Sequence, residues 1–256
     1  MAGAFYESLG DGLFRATEHT VGPWSPDTQH FGPPSALMAR AMERCEPREA
    51  TTITRVTVEI LGPLPCTDLA VSAHVERPGR SVELLAAEIT VAGRPVARAR
   101  AWRMTGVDTA PVAGGAGAPL PPPGRGSSPP LPDWWHGGYL DAMHWEWVRG
   151  GEPGRAAVWV RQRVGLVAGE EPSPLQRLLT VADSASGVSS RLDIHRWLFV
   201  NTELTVHLHR RPVGEWIGMD AETVIGPGGV GLATSVLHDS TGPVGRSAQS
   251  LLVRGR

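Results

Sequence analysis

Apolar and polar residues alternate along the chain with two periods, one typical of a helix and one typical of strands. The run GPPSALMARAMERC at 32–45 is apolar on most sides, and proline is tolerated in a first helical turn, so it predicts an enclosed helix. A second helix is predicted within 174–192. Alternating residues between glycine and proline turns predict strands. These lie at 52–61, 68–76, 82–91 and 94–104, and near 199–209, 215–224, 230–238 and 243–254.

The segment 107–133 separates these two sets of elements. It is rich in proline and glycine and has almost nothing to bury, a composition typical of an extended or disordered linker. We therefore expect a folded unit at 1–106, a linker at 107–133 and a second folded unit at 134–256.

The two halves carry the same order of elements, and short segments of them align without a gap. TVEILGPL at 57–64 matches TVHLHRRP at 205–212, and RPVARARA at 94–101 matches GPVGRSAQ at 242–249. Both matches need the same offset of 148 (205 − 57 and 242 − 94), which indicates a duplication. A long helix followed by antiparallel strands, present twice, predicts an α+β fold in which each sheet wraps one helix and the two sheets join.

Composition then excludes several classes of function. The formal net charge is −2, so we expect no nucleic-acid partner. No stretch has the ~18–20 apolar residues of a membrane span, and no basic region followed by an apolar run stands at the N-terminus, so we expect a cytoplasmic protein. The chain has no lysine, which excludes Schiff-base, pyridoxal phosphate and P-loop chemistry. Cys45 and Cys66 are expected to be free thiols.

The offset also exposes a difference between the halves. At three aligned positions the second half carries an acid or amide and the first half does not, namely Asp183, Asn201 and Gln249 opposite Ser35, Ile53 and Ala101. A carboxylate can take a proton from a water that neighbouring amides hold. A helix N-terminus near Asp183 would keep the carboxylate ionised and offer N–H groups to an oxyanion. Alternatively, Asp183 only caps or begins its helix and the two amides face solvent.

Several segments together resemble the acyl-CoA thioesterase II type of double-hotdog protein. They are HFGPPSALMARAMER, VADSASG, HRWLFVNTELTVHLHR, GEWIGMDAETVIGPGGVGLATSVLHD and GPVGRSAQSLLVR, and the resemblance covers about 10–104 and 134–254. It implies two tandem hotdog repeats, and an Asp, a Thr or Ser and a Gln that orient a water against a thioester carbonyl. The Asp falls on Asp183 and the Gln on Gln249.

The hydroxyl position of that resemblance falls on Asn201, or on Thr202 if the alignment slips by one. Strand alternation places these two residues in opposite rows, so only one of them can point at Asp183. An amide can orient water as a hydroxyl can, and hydrolysis therefore survives the change.

Three residues are candidates for substrate binding, namely His30, Gly32 and Thr202. His30 stands just before the first helix and either lines a pocket between the halves or makes a local hydrogen bond at the helix start. Arg210 and Arg211 fit contacts with coenzyme A phosphates and a solvated strand end equally well.

No metal or organic cofactor is expected. His207 and His209 form an HxH pair on one strand face, but no third ligand is suggested nearby. The segment GPGGVG at 226–231 is expected to be a hairpin turn, because a strand follows it where a phosphate-binding loop needs a helix.

The expected function is hydrolysis of acyl-CoA or acyl-carrier thioesters, with Asp183 as the base and Asn201 and Gln249 holding the water. Two alternatives stay open: a dehydratase, hydratase or cyclase acting on a carrier-bound acyl chain, and a non-catalytic acyl-CoA-binding protein. The sequence also leaves open the acyl chain length, the carrier and whether the chain forms a homo-oligomer.

Overall fold

A computed structural model describes residues 3–128 and 135–256, and in its first half a sheet wraps one long helix. The elements are β1 (Ala4–Gly10), β2 (Leu13–Ala16), α1 (Gly32–Arg44), β3 (Thr51–Ile60), β4 (Asp68–Arg77), β5 (Val82–Val91) and β6 (Arg94–Thr105). The sequence pattern predicts the helix and the last four strands to within one residue at each end. It misses the hairpin of β1 and β2.

The second half repeats this order with shorter helices. Its elements are α2 (Gly138–Asp141), β7 (Met143–Glu152), β8 (Arg155–Gln162), β9 (Gly165–Val167), α3 (Pro174–Ala182), α4 (Ala185–Val188), β10 (Trp197–Asn201), β11 (Glu203–Leu208), β12 (Ile217–Ile225), β13 (Val230–Asp239) and β14 (Gly242–Gly255). The helix predicted within 174–192 is divided at Asp183 and Ser184. The strand predicted at 199–209 is divided at Thr202.

The described strands form one continuous 14-stranded sheet. Its order is β7-β8-β12-β13-β14-β11-β3-β6-β5-β4-β2-β1-β9, and β10 also pairs with β14. The order β11-β14-β13-β12 in the second half repeats β3-β6-β5-β4 in the first. The predicted α+β architecture, with two helix-wrapped repeats and one continuous sheet, is therefore confirmed.

The two half-sheets join between β3 and β11, and the register there reflects the duplication. Thr205 lies directly opposite Thr57, and their Oγ1 atoms are 3.3 Å apart. The offset of 148 makes these two threonines equivalent. Applied to a flanking residue pair on one side of them, it gives the pair at the same distance on the other side. The pseudo-two-fold axis that relates the repeats therefore passes through this pair of residues.

The long helices α1 and α3 pack against each other inside the sheet. At the start of α1, a Cβ added to Gly32 would lie 2.1 Å from the carbonyl oxygen of Thr180. Near the end of α1, Glu43 accepts hydrogen bonds from Ser173 Oγ at 2.8 Å and from Gln176 Nε2 at 2.6 Å. A close backbone approach at one end and hydrogen bonds at the other thus hold the two halves together.

Replacing Gly32 by alanine is expected to reduce the free energy of unfolding by about 1–3 kcal/mol, the usual scale of overpacking. The new methyl group must push the Thr180 carbonyl away from α1. Urea unfolding measures the change. Gly62 is a matched control, because an added Cβ there meets nothing within 4 Å. Equal destabilisation by Gly62→Ala would show that the helix approach is not the cause.

Residues 107–128 lie along the second half. Trp159 Nε1 donates to the carbonyl of Pro121 at 2.6 Å, and the Gly124 N–H donates to Glu146 Oε2 at 2.6 Å. Residues 129–134 lie outside the described residues, and they include the end of the predicted linker and the first residue of the predicted second unit. The division into 1–106, 107–133 and 134–256 stays a prediction.

Smaller features of the sequence have these outcomes. The segment GPGGVG is a hairpin turn, as predicted, in which the Gly226 N–H donates to the Val230 carbonyl at 2.8 Å. Cys45 and Cys66 are free. In the two described ranges, no group of three or more potential ligand side chains could hold a metal ion, and no helix is long and apolar enough to cross a membrane.

Candidate active site

Asp183 lies at the junction between α3 and α4. Its backbone has right-handed helical angles (φ −68°, ψ −14°), and it caps the C-terminal end of the nine-residue α3. Its carbonyl oxygen accepts the Nε2–H of Gln249 at 3.0 Å, and the helix is interrupted here. Asp183 thus lies between the C-terminal end of α3 and the start of the four-residue α4, and the expectation that a helix N-terminus keeps it ionised stays a prediction.

The Asp183 carboxylate is held by two amides from neighbouring strands. Asn201 Nδ2, at the end of β10, donates to Oδ1 at 2.8 Å, and Gln249 Nε2, on β14, donates to the same oxygen at 3.1 Å. Gln249 is fully buried and Asp183 is 6% exposed. The alternative in which Asp183 is a simple cap and the amides face solvent does not describe this cluster.

The amides hold the carboxylate itself. Both Nε2 hydrogens of Gln249 go to Asp183, and its Oε1 accepts the N–H of Ser186 at 3.3 Å. Asn201 Nδ2 donates to Asp183 and to the Glu203 carbonyl at 3.3 Å, which leaves the Asn201 Oδ1 as an acceptor. Both polar atoms of the fully buried Gln249 are therefore engaged within the cluster, whereas Asn201 Oδ1 accepts no hydrogen bond from the described residues.

Thr202 is oriented away from this cluster. Its side chain is exposed, and its Oγ1 lies 3.4 Å from the carbonyl of Ser250. Its backbone N–H also donates to Ser250, and its carbonyl accepts the N–H of Ile60 from the first half. Of the two residues that the alignment left open, the structure places Asn201 against Asp183, and Thr202 remains a residue of the cavity wall.

His30 makes both of the contacts between which the sequence could not choose. It lines the cavity, with Nδ1 3.3 Å from Asp183 Oδ2, and Nδ1 accepts the Gly32 N–H at 3.1 Å. Gly32 itself is buried and is not part of the cavity wall, so its assignment to substrate binding gains no support from the geometry.

Tyr139 is a residue of the site that sequence reasoning missed. Its ring stacks on His30, with centroids 3.7 Å apart and planes 5° from parallel. Its hydroxyl group lies 2.8 Å from Ser184 Oγ and donates to the Thr180 carbonyl at 2.9 Å. Tyr139 belongs to the short α2, and subtracting the offset of 148 from 139 gives no position in the first half, so the internal comparison gave no signal for it.

The stability of the protein is expected to decrease as the pH falls below 6.5. Burial lowers the pKa of His30 and His238 below 6.5, and neighbouring carboxylates oppose this effect more weakly. The unfolded chain then binds protons that the folded chain does not, so the stabilisation is complete above pH 6.5 and is lost towards the lower, folded pKa values.

Melting temperatures between about pH 8 and about pH 5 test this expectation. His238→Asn should make the decrease smaller, whereas the same change at the exposed His195 should not. A melting temperature that does not change over this interval would contradict burial of neutral histidines.

An apolar cavity of about 470 Å³ adjoins the cluster and is formed by both halves of the chain. Asp183 and Asn201 are part of its wall. Trp24 and Phe199, in edge-to-face contact with ring centroids 4.8 Å apart, face each other across the two halves. The other apolar wall residues are Pro23, Phe31, Ile60, Leu61, Pro63, Leu64, Trp135, Leu140, Ile194, Leu198 and Val200.

Two helix-wrapped repeats with one continuous sheet, and a buried carboxylate beside an apolar cavity between them, define a double-hotdog protein. Comparison with known families gives the particular group. The model of the acyl-CoA thioesterase N-terminal domain matches residues 20–104, and the model of the acyl-CoA thioesterase C-terminal domain matches residues 115–253. The chain belongs to the acyl-CoA thioesterase family.

Solved structures of low sequence identity share this fold over nearly the whole chain. A hotdog-fold protein of unknown function from Alicyclobacillus acidocaldarius has a TM-score of 0.74 at 15% identity, with 97% of this chain and 95% of that chain covered. An acyl-CoA thioesterase II from Mycobacterium marinum has a TM-score of 0.69 at 15% identity, with 98% and 96% covered. Among curated proteins, none matches the chain.

Proposed function

We propose that the protein hydrolyses acyl-CoA or acyl-carrier thioesters and that Asp183 is the general base. One observation carries this proposal: the two carboxylate oxygens have different partners. Oδ1 accepts two amide N–H groups, whereas Oδ2 accepts no hydrogen bond from the described residues and lies 3.3 Å from His30 Nδ1 at the cavity wall. A general base needs an oxygen atom that can reach the water, and Oδ2 meets that requirement.

The water is held by two acceptors in this proposal. It donates one hydrogen to Asp183 Oδ2 and the other to Asn201 Oδ1, which accepts no hydrogen bond from the part of the chain that the structure describes. Gln249 acts one step further away, because its amide fixes both the side chain and the carbonyl of Asp183. Asn201 thus combines two tasks, orientation of the carboxylate through Nδ2 and orientation of the water through Oδ1.

The proposed reaction consists of two proton transfers through Asp183 and the bond changes that accompany them. Asp183 takes a proton from the water while the water oxygen bonds to the thioester carbonyl carbon. The C–S bond breaks as the carbonyl reforms, and the leaving thiolate takes the proton from Asp183. The products are a carboxylic acid and a thiol, and Asp183 returns to its starting state. The acyl chain occupies the apolar cavity beside Trp24 and Phe199.

Release of free thiol from short-, medium- and long-chain acyl-CoAs tests the proposed function. Turnover by the unmodified protein supports it. Thiol release only from acyl carrier protein would identify the carrier. A changed carbon skeleton or double bond in a carrier-bound acyl chain, without release of thiol, would favour the dehydratase, hydratase or cyclase. Binding of acyl-CoA without any turnover would indicate a binding protein.

A further inference from the structure

The start of α1 provides little to hold a reacting carbonyl group. Backbone N–H groups at a helix start are a common means of binding an oxyanion. Here the second and third helical residues are Pro33 and Pro34, which have no N–H. The first, Gly32, donates its N–H to His30 Nδ1 at 3.1 Å. The donor for a thioester carbonyl must therefore come from another group.

His30 is a group that can supply this donor. Because Nδ1 accepts the Gly32 N–H, the neutral imidazole carries its proton on Nε2. The ring lines the cavity, and no side chain or backbone group of the described residues forms a hydrogen bond with Nε2. The parallel stack on Tyr139 fixes the plane of the ring.

The position of His30 relative to Asp183 suits a shared reaction centre. Nδ1 and Oδ2 are 3.3 Å apart, and both side chains line the same cavity. Burial lowers the pKa of His30 below 6.5, and the charge of Asp183 opposes this less strongly. The ring is therefore neutral near pH 7, and a neutral imidazole can polarise a carbonyl group.

We propose that His30 is a second catalytic residue, which donates its Nε2–H to the oxygen of the thioester carbonyl. This inference rests on the proposed function. As water adds to the carbonyl carbon, the electron pair of the C=O bond moves to the oxygen, and the hydrogen bond from Nε2 becomes stronger. The pair returns when the C–S bond breaks. His30 keeps its proton throughout, and the only proton transferred moves through Asp183.

Two replacements of His30 separate this role from a structural one. Asparagine can keep an acceptor near the position of Nδ1 for the Gly32 N–H, but it has no donor at the position of Nε2. Glutamine can reach the position of Nε2 with an N–H but loses the acceptor. The proposal predicts that His30→Asn lowers kcat by about 10²–10³-fold, the scale of losing one oxyanion donor. His30→Gln should retain most of that activity.

The opposite ranking would overturn the inference. If His30→Asn is active and His30→Gln is not, the imidazole only caps the Gly32 N–H at the start of α1. Equal loss in both variants, with unchanged melting temperatures, would also count against a donor at Nε2. A rise in KM with unchanged kcat in either variant would assign His30 to ground-state binding.

A second measurement does not depend on turnover. Decanoyl-CoA labelled with ¹³C at the thioester carbonyl is bound to Asp183→Asn, and the infrared carbonyl stretch is recorded. The inference predicts that this stretch lies at lower wavenumber than in water. The shift should persist when His30→Gln is added and should be lost when His30→Asn is added. No binding, or a stretch equal to that in water, would overturn the inference. Failure of thiol release by the unmodified protein would refute the proposed function separately.

Discussion

Replacing Asp183 by asparagine is expected to lower kcat for acyl-CoA hydrolysis by about 10²–10⁴-fold, the usual contribution of a positioned general base. The asparagine keeps the volume of the side chain and an Oδ1 that can accept the hydrogen bonds from Asn201 and Gln249. It cannot take a proton from water. Because the effect lies in the chemical step, KM for the acyl-CoA should change much less than kcat. Steady-state thiol release measures both constants.

Asp193→Asn is the matched control for this replacement. Asp193 lies ten positions further along the chain and is exposed, and in the described structure its carboxylate accepts only the N–H of His195, at 2.9 Å. Its replacement should leave kcat unchanged. Full activity of Asp183→Asn would preserve a thioesterase but discard Asp183 as its base. Loss of activity together with a large fall in melting temperature would show that the cluster is structural.

The duplication made most of the fold predictable from the sequence. Strands with one face on the core keep an alternating pattern in both copies, and β3 to β6 and their counterparts were located in this way. β8 was missed for a physical reason: Ala156 to Val160 are buried without interruption, so the segment has no alternation to detect. β9 is only three residues long and pairs with β1 of the other half, and such a long-range pairing leaves no local signal.

The site could be predicted as a set of residues but not as an arrangement. The asymmetry between the halves identified Asp183, Asn201 and Gln249, and the structure brings these three together. The comparison of the halves could not show that both polar atoms of Gln249 bond to Asp183 and Ser186. These bonds depend on the direction in which the Gln249 side chain leaves β14. The break between α3 and α4 could not be predicted either, because it lies where the Gln249 side chain donates to the carbonyl of Asp183.

Asp239 is expected to be among the most important charged residues for stability. Its side chain is fully buried and accepts hydrogen bonds from Arg210 Nη2 at 2.7 Å, from the Val213 N–H at 3.0 Å and from the N–H and hydroxyl groups of Thr241 at 2.8 and 2.7 Å. Arg210 also donates to the carbonyls of Pro243 and Gly242 at 3.0 and 2.9 Å. These bonds occupy the guanidinium group of Arg210, one of the two arginines for which contact with coenzyme A phosphates was one of two possible roles.

Asp239→Ala should therefore reduce the free energy of unfolding by about 1.5–3 kcal/mol, the scale of hydrogen bonds to a charged group, because Asp239 is fully buried but the side chain of Arg210 is 31% exposed. Glu222→Gln is the control, because the Glu222–Arg155 pair is exposed and is worth at most about 1 kcal/mol. Urea unfolding of both variants at pH 7 gives the comparison. Equal, small losses would show that water replaces the lost contacts of Arg210.

The dependence of stability on pH gives a second test of the same carboxylate. Burial alone would raise the pKa of Asp239, but hydrogen bonds from Arg210, Thr241 and Val213 outweigh it and lower the pKa to about 2. With a folded pKa below the ordinary 3.8, this group stabilises the protein above pH 3.8, and the contribution is lost as the pH falls towards 2. Asp239→Ala removes that part of the acid transition, whereas Glu222→Gln retains it. An identical acid transition in both variants would place the stabilisation elsewhere.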